Sequence, residues 1–207
     1  MRDADAMTRP NASVVVLAVL VFLVSFSQDA MSSTATERPL PGLSVYNISS
    51  RWTTQDGDFV RLETLRGRPT VVAMIYLNCP DVCPLIAENM EQIQANLPQA
   101  LSSKVNFALF TFDSARDTPD KLKAYAKARG LDAKHWTLFQ SDDRATRELA
   151  AVLDVTYHKK DDGNFDHSVV ITLLDGDGVV AYQQIGLRTD TREFEAKIRA
   201  LNLNNTK

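Results

Sequence analysis

The chain has 207 residues, of which 44% are hydrophobic and 24% charged, and a formal net charge of −3. That length and balance fit one globular domain able to bury a core of its own. The mild negative charge, with no basic arm or stripe, argues against a nucleic-acid partner.

The first element is an apolar run over residues 13–24, unbroken by charge and preceded by Arg2 and Arg9. It is short for a bilayer span, which needs about 20 residues. Ser25-Phe26-Ser27 follows with a small-x-small cleavage pattern. Residues 1–27 therefore read as a secretory signal peptide or, if uncleaved, an N-terminal membrane anchor. Asp3 and Asp5 argue against a mitochondrial transit peptide, which is poor in acids. Either form exports the rest of the chain, to a bacterial periplasm, free or held at the inner membrane. Residues 28–42 are polar, with Pro39 and Pro41, and read as a flexible linker; residues 43–207 form the domain.

Residues 43–48 predict a first short strand. Asp56-Gly57 predicts a hairpin turn leading into Phe59-Val60-Arg61-Leu62. Gly67-Arg68-Pro69 breaks the chain before a central buried strand over residues 70–76. Ile86, Met90, Ile93 and Leu97 then fall at helical spacing, and Pro98 ends that helix. Residues 105–112 read as a second buried strand, running into Asp113-Ser114-Ala115-Arg116-Asp117-Thr118-Pro119. Thr118 caps the next helix and Pro119 takes its first turn. Leu122, Tyr125 and Ala126 give that helix its buried side, and Gly130 its stop.

Residues 136–140 predict a third strand. Asp142 or Asp143 opens a helix whose apolar side is Leu149, Val152 and Leu153. Residues 155–158 predict a short strand, followed by the polar loop Asp161-Asp162-Gly163-Asn164. Residues 168–174 read as a buried strand that pairs with residues 179–185 as a hairpin. Asp190 and Glu193 suit a capping pair for the last helix, which packs through Phe194, Ile198 and Leu201. No internal repeat is present. The order is β-hairpin, βαβα, β-hairpin, helix. It predicts an α/β, thioredoxin-like fold: a central mixed sheet with flanking helices and an extra N-terminal β-hairpin.

The chain's two cysteines, Cys79 and Cys83, are separated by three residues at the end of the central strand. Sites of open α/β sheets lie outside the carboxyl ends of their strands. Such a pair can close a disulfide, exchange thiols with a partner or bind a metal. Pro84 restricts Cys83 towards extended geometry, so the motif predicts a stiff loop at a helix N-terminus, where the dipole favours thiolate. The spacing does not choose among the three chemistries, although redox enzymes more often place two residues between their cysteines. An oxidising compartment adds pressure towards the disulfide.

The discriminating partner comes from the three histidines. His135, beside Trp136, reads as a surface or packing residue, and His158, before Lys159 and Lys160, as solvated. His167 stands between a polar loop and an apolar strand. In a thioredoxin-like fold the loop before that strand faces the cysteine motif. Two thiolates and one imidazole select copper(I) or zinc over hard cations. Structural zinc wants four protein ligands and no third cysteine exists, so copper is the better match. Asp113, after a parallel strand, lies on the same rim as Cys79; a plain loop or capping role is the alternative. Asp175-Gly176-Asp177-Gly178 fails the register of a calcium loop and reads as a hairpin turn.

Three separated blocks carry a resemblance. They are Cys79-Pro80-Asp81-Val82-Cys83-Pro84; Asp113 with Arg116-Asp117-Thr118-Pro119; and Asp166-His167-Ser168 with Asp175-Gly176-Asp177-Gly178 beyond the strand. In order and separation the chain, from about Leu43 on, resembles the Sco/SenC family of copper-binding, thioredoxin-like proteins. The resemblance implies one copper ion on Cys79, Cys83 and His167, with Asp113 an auxiliary group near the metal. It also implies delivery to the dinuclear copper centre of cytochrome c oxidase, whose copper-site subunit is the partner. Other thiol or copper proteins of the periplasm are further partners. Two other functions fit the same residues. One is a metal-free periplasmic thiol-disulfide oxidoreductase, and the other a copper or redox sensor.

Overall fold

Every residue of β3 (Thr70–Ile75) is buried, which a strand reaches only when both faces of its sheet are covered. β8 (Val170–Leu174) is buried throughout as well, and β4 (Asn106–Thr111) at every residue but Asn106. In the computed structural model, which describes residues 38–204, these strands lie at the centre of a seven-stranded sheet. The leader or anchor expected over residues 1–27, and most of the linker, fall outside the described residues.

The sheet order is β2-β1-β5-β4-β3-β8-β9, adding β1 (Arg51–Thr54), β2 (Phe59–Arg61), β5 (Trp136–Gln140) and β9 (Val180–Ile185). β3, β4 and β5 run parallel, while β8 lies antiparallel to β3 and β1 antiparallel to β5. The mixed sheet and the extra N-terminal hairpin β1–β2 agree with the reading from sequence. Helix α1 (Val82–Asn96) packs on β3, and a four-residue helix α2 (Gln99–Ser102) follows. Helix α3 (Pro119–Arg129) packs on β5, and α5 (Arg192–Asn204) on β9 and α1. Helix α4 (Asp143–Val152) opens at Asp142, whose carboxylate accepts from the Ala145 N–H at 2.8 Å.

Five local expectations are corrected. Residues 43–48 form no strand; a 3-10 turn spans Val45–Asn47. The Ser44 hydroxyl accepts from the Tyr46 N–H and donates to the Asp177 carbonyl, so local side-chain bonds replace a ladder. Pro84 does not keep the motif out of the helix, since α1 begins at Val82. Proline is tolerated there because first-turn N–H groups have no intrahelical partner to lose. Val152 is exposed; α4 buries Ala145, Thr146, Leu149 and Ala150 instead. At the start of α5 the interacting pair is Thr191 and Glu195, 2.7 Å apart, rather than Asp190 and Glu193. Finally, residues 165–167, between the polar loop and the strand expected from residue 168, form a strand of their own, β7 (Phe165–His167), which pairs with β6 (Tyr157–Lys159) in a separate two-stranded sheet.

The turn Asp175–Gly178 joins β8 to β9 at the end of the sheet opposite the cysteines. The Asp175 carboxylate is spent on the turn, accepting from the N–H groups of Asp177 and Val179. Gly178 has φ +80°, and a Cβ there would stand 2.6 Å from the Tyr46 ring, so no other residue fits. Val45 donates to the Gly178 carbonyl, and the N-terminal chain thus enters the domain at the pole away from Cys79 and Cys83.

Candidate metal centre

Helical periodicity aims the second cysteine inward. Cys83 lies on the same stripe of α1 as Ile86, Ala87, Met90 and Ile93, all buried. Its Sγ therefore sits over the end of β3 and accepts from the Tyr76 N–H at 3.5 Å. Cys79 belongs to the loop before the helix, and its Sγ accepts from the Cys83 N–H at 3.4 Å. Strand pleating aims the third group. In β7 Phe165 is buried, Asp166 exposed and His167 half-buried, so the phenyl and imidazole rings share the inward face.

The three side chains meet. His167 Nε2 is 3.3 Å from Cys83 Sγ. Donor atoms of Cys79, Cys83 and His167 all lie within 4.8 Å of one another, a group that could hold a metal ion. His167 Nδ1 faces the Ser168 carbonyl at 3.0 Å. A carbonyl only accepts, so Nδ1 carries the ring proton and Nε2 offers its lone pair to the sulfurs. Both cysteines are free thiols. The set of two sulfurs and one imidazole nitrogen fits a soft ion and leaves a place open for an incoming ligand.

The two thiols differ. Burial pushes Cys83 well above the ordinary thiol range, and the neighbouring Cys79 pushes it further. Burial also raises Cys79, but the N–H groups of Cys83 and Asp81 outweigh it and hold that thiol below its usual range. Alkylation of the reduced, metal-free chain is therefore expected to mark Cys79 first. Its rate should rise at a lower pH than for a free cysteine, because a depressed pKa populates the thiolate earlier. Cys83 is expected to react only on unfolding. Peptide mapping across pH checks this; equal rates at both positions would contradict it.

Around the thiols stands an aromatic wall. Phe112 lies 5.0 Å from the His167 ring, and Tyr76 meets the same ring edge-on at 6.2 Å. Burial pushes the Tyr76 hydroxyl up to about 12, so it stays protonated.

Asp113 is 2% exposed and its carboxylate receives Nε of Arg116. It is not among the grouped donor atoms. His135 pairs with Asp132 and His158 is exposed, away from the sulfurs. Sequence reasoning named Asp117 in a motif but gave it no role. It is 1% exposed, and Oδ2 accepts from the Leu77 N–H at 3.0 Å and the Thr111 hydroxyl at 2.5 Å. Desolvation raises its carboxyl, and Oδ1 is buried without a hydrogen bond. It holds the segment that leads into Cys79.

Fold and donor set define a thioredoxin-like protein with a site suited to a soft metal ion. The SCO1/SenC family profile matches residues 45–202. The chain belongs to the SCO1/SenC family. A SCO1 protein homolog of Bacillus subtilis (strain 168) is 33% identical over 82 residues, 40% of this chain and 42% of that protein. The match to a relative from Stutzerimonas stutzeri likewise spans only 31% of that protein. Bradyrhizobium japonicum ScoI with copper bound superposes with a TM-score of 0.59 and 26% identity, over 73% of this chain and 96% of that one. BsSco, a member of the Sco family of cytochrome c oxidase assembly proteins, shares the fold with a TM-score of 0.64 and 24% identity, over 73% and 90%.

Proposed function

We propose that this chain is a copper chaperone. It binds one copper ion through Cys79 Sγ, Cys83 Sγ and His167 Nε2, and delivers it to the dinuclear copper centre of cytochrome c oxidase. The observation that carries the reading is the convergence of those three donors from a loop, a helix and a hairpin far apart in sequence. Copper in the related ScoI supports the choice of ion, and the family of BsSco supports the destination. The ion is cargo, and a site of three ligands suits release. A partner thiolate enters the open position, and the chain's own sulfurs leave in turn.

The setting follows the sequence. The apolar N-terminal run supports export to a bacterial periplasm, free or anchored at the inner membrane. Among the described residues no helix is long and apolar enough to cross a membrane.

The test is transfer. The reduced full chain, loaded with one copper, is mixed with the copper-free oxidase subunit and the two are separated. Copper is expected to move to the subunit; retention by this chain under excess subunit would sink the delivery reading. The contrast between the Cys79 and Cys83 thiols favours a second reading, thiol exchange on the partner's cysteines. It predicts reduction of the subunit's disulfide by the copper-free chain.

A further inference from the structure

The hairpin that carries His167 is a weak point of the fold. β6 and β7 pair with each other and do not join the seven-stranded sheet. A lone two-stranded hairpin is marginal in water, so its position depends on what ties it to the rim. One tie is long: the Phe165 N–H reaches the Tyr76 hydroxyl at 3.5 Å. The shorter one comes from the turn after β4. Arg116 Nη2 donates to the Gly163 carbonyl at 2.5 Å, four residues before His167.

That arginine is itself fixed from behind. Nε donates to the Asp113 carboxylate, which is 1% exposed. The guanidinium stands 6.0 Å from the centres of both the Tyr76 and Phe165 rings. Gly163 adopts φ +80°, and a Cβ there would stand 3.6 Å from Arg116 Nη1. The planar fork reaches in two directions at once, which an ammonium does not. Asp117, in the same turn, grips the cysteine segment through the Leu77 N–H.

We propose that Asp113 and Arg116 are positioning residues: they clamp the His167 hairpin against the cysteine loop and so set how tightly the site retains its ion. Asp113 acts through Arg116 and is not a ligand. The proposal rests on the copper reading for its affinity arm, while its structural arm stands without metal.

The experiment uses the full chain carrying Asp113→Asn with Arg116→Ala, a pair that removes the Asp113 charge together with the guanidinium that faces it. In the copper-free protein, amide exchange over residues 157–167 is expected to accelerate while β3 and β4 keep their protection. Unchanged exchange there overturns the clamp. In the reduced, copper-loaded protein, affinity is expected to fall about 10–100-fold, the range for residues that orient a ligand. Placed on His167→Ala, the same pair is expected to change nothing more, since its effect passes through that ring. Additive losses would overturn the assignment and make Asp113 a ligand or an independent contributor. Should the paired variant fail to fold, Arg116→Lys keeps the charge beside Asp113 and gives up the second arm. It is expected to show the same faster exchange at an unchanged unfolding temperature; wild-type exchange in it overturns the clamp. If no variant binds copper, wild type included, the copper reading fails while the exchange result still decides the clamp.

Discussion

Cys83→Ala is expected to abolish tight copper binding while leaving the fold standing. The sulfur is the hub of the site: it faces Tyr76 N–H at 3.5 Å on one side and His167 Nε2 at 3.3 Å on the other. Without it, one thiolate and one imidazole remain. The loss should exceed the roughly 10–100-fold that a merely supporting residue costs. Stability should fall only by the about 1–3 kcal/mol that the buried Tyr76 N–H costs once its acceptor is gone, because alanine removes one atom and keeps the helix. Burial favours the neutral thiol at Cys83, so no charge interaction of the metal-free protein is lost either. Competition against a copper(I) chelator reads the first effect and thermal unfolding the second. Wild-type affinity in the variant would remove Cys83 from the site.

Phe112→Ala is expected to cost about 3–5 kcal/mol, the range for deleting a buried aromatic ring. Against a total of about 5–15 kcal/mol for a typical domain, that is a large share. Phe112 is 3% exposed at the end of β4. It stacks on Tyr157 at 5.1 Å and 15°, meets Phe165 at 5.1 Å and 64°, and lies 5.4 Å from Tyr76. Its His167 contact completes a cluster joining both strands of the β6–β7 hairpin to the rim of the main sheet. The variant should therefore lose stability and loosen the imidazole together. Urea denaturation measures the first; faster amide exchange over residues 157–167 marks the second. A loss below about 1 kcal/mol, within ordinary surface effects, would contradict the cluster's role.

Most of the sheet could be read from the chain because its central strands are continuous apolar runs bounded by breakers. Gly67-Arg68-Pro69 before β3 and Pro98 after α1 are examples. The cysteine and histidine positions were legible for a related reason: each sits where a regular element begins or ends. What escaped the reading was set by tertiary contacts. β7 is only three residues long, and the Phe165-Asp166-His167 alternation becomes a strand only by pairing with β6. Residues 43–48 carry strand-like side chains, yet Ser44 and the Gly178 turn capture them locally. Asp117 stands in the sequence as one member of the block that carries the resemblance, with no role of its own. Its burial beneath Leu77 depends on where the β3 and β4 ends meet, which no local pattern announces. Asp113 pairs with Arg116, an ion pair that could not be seen from spacing alone.

One measurement bears most directly on the three-donor site: X-ray absorption at the copper edge of the reduced chain loaded with one copper(I). Two sulfur scatterers and one imidazole nitrogen are predicted, with the nitrogen signal lost in His167→Ala and the sulfurs retained. A wild-type spectrum with no imidazole, or one that His167→Ala leaves unaltered, would contradict the account.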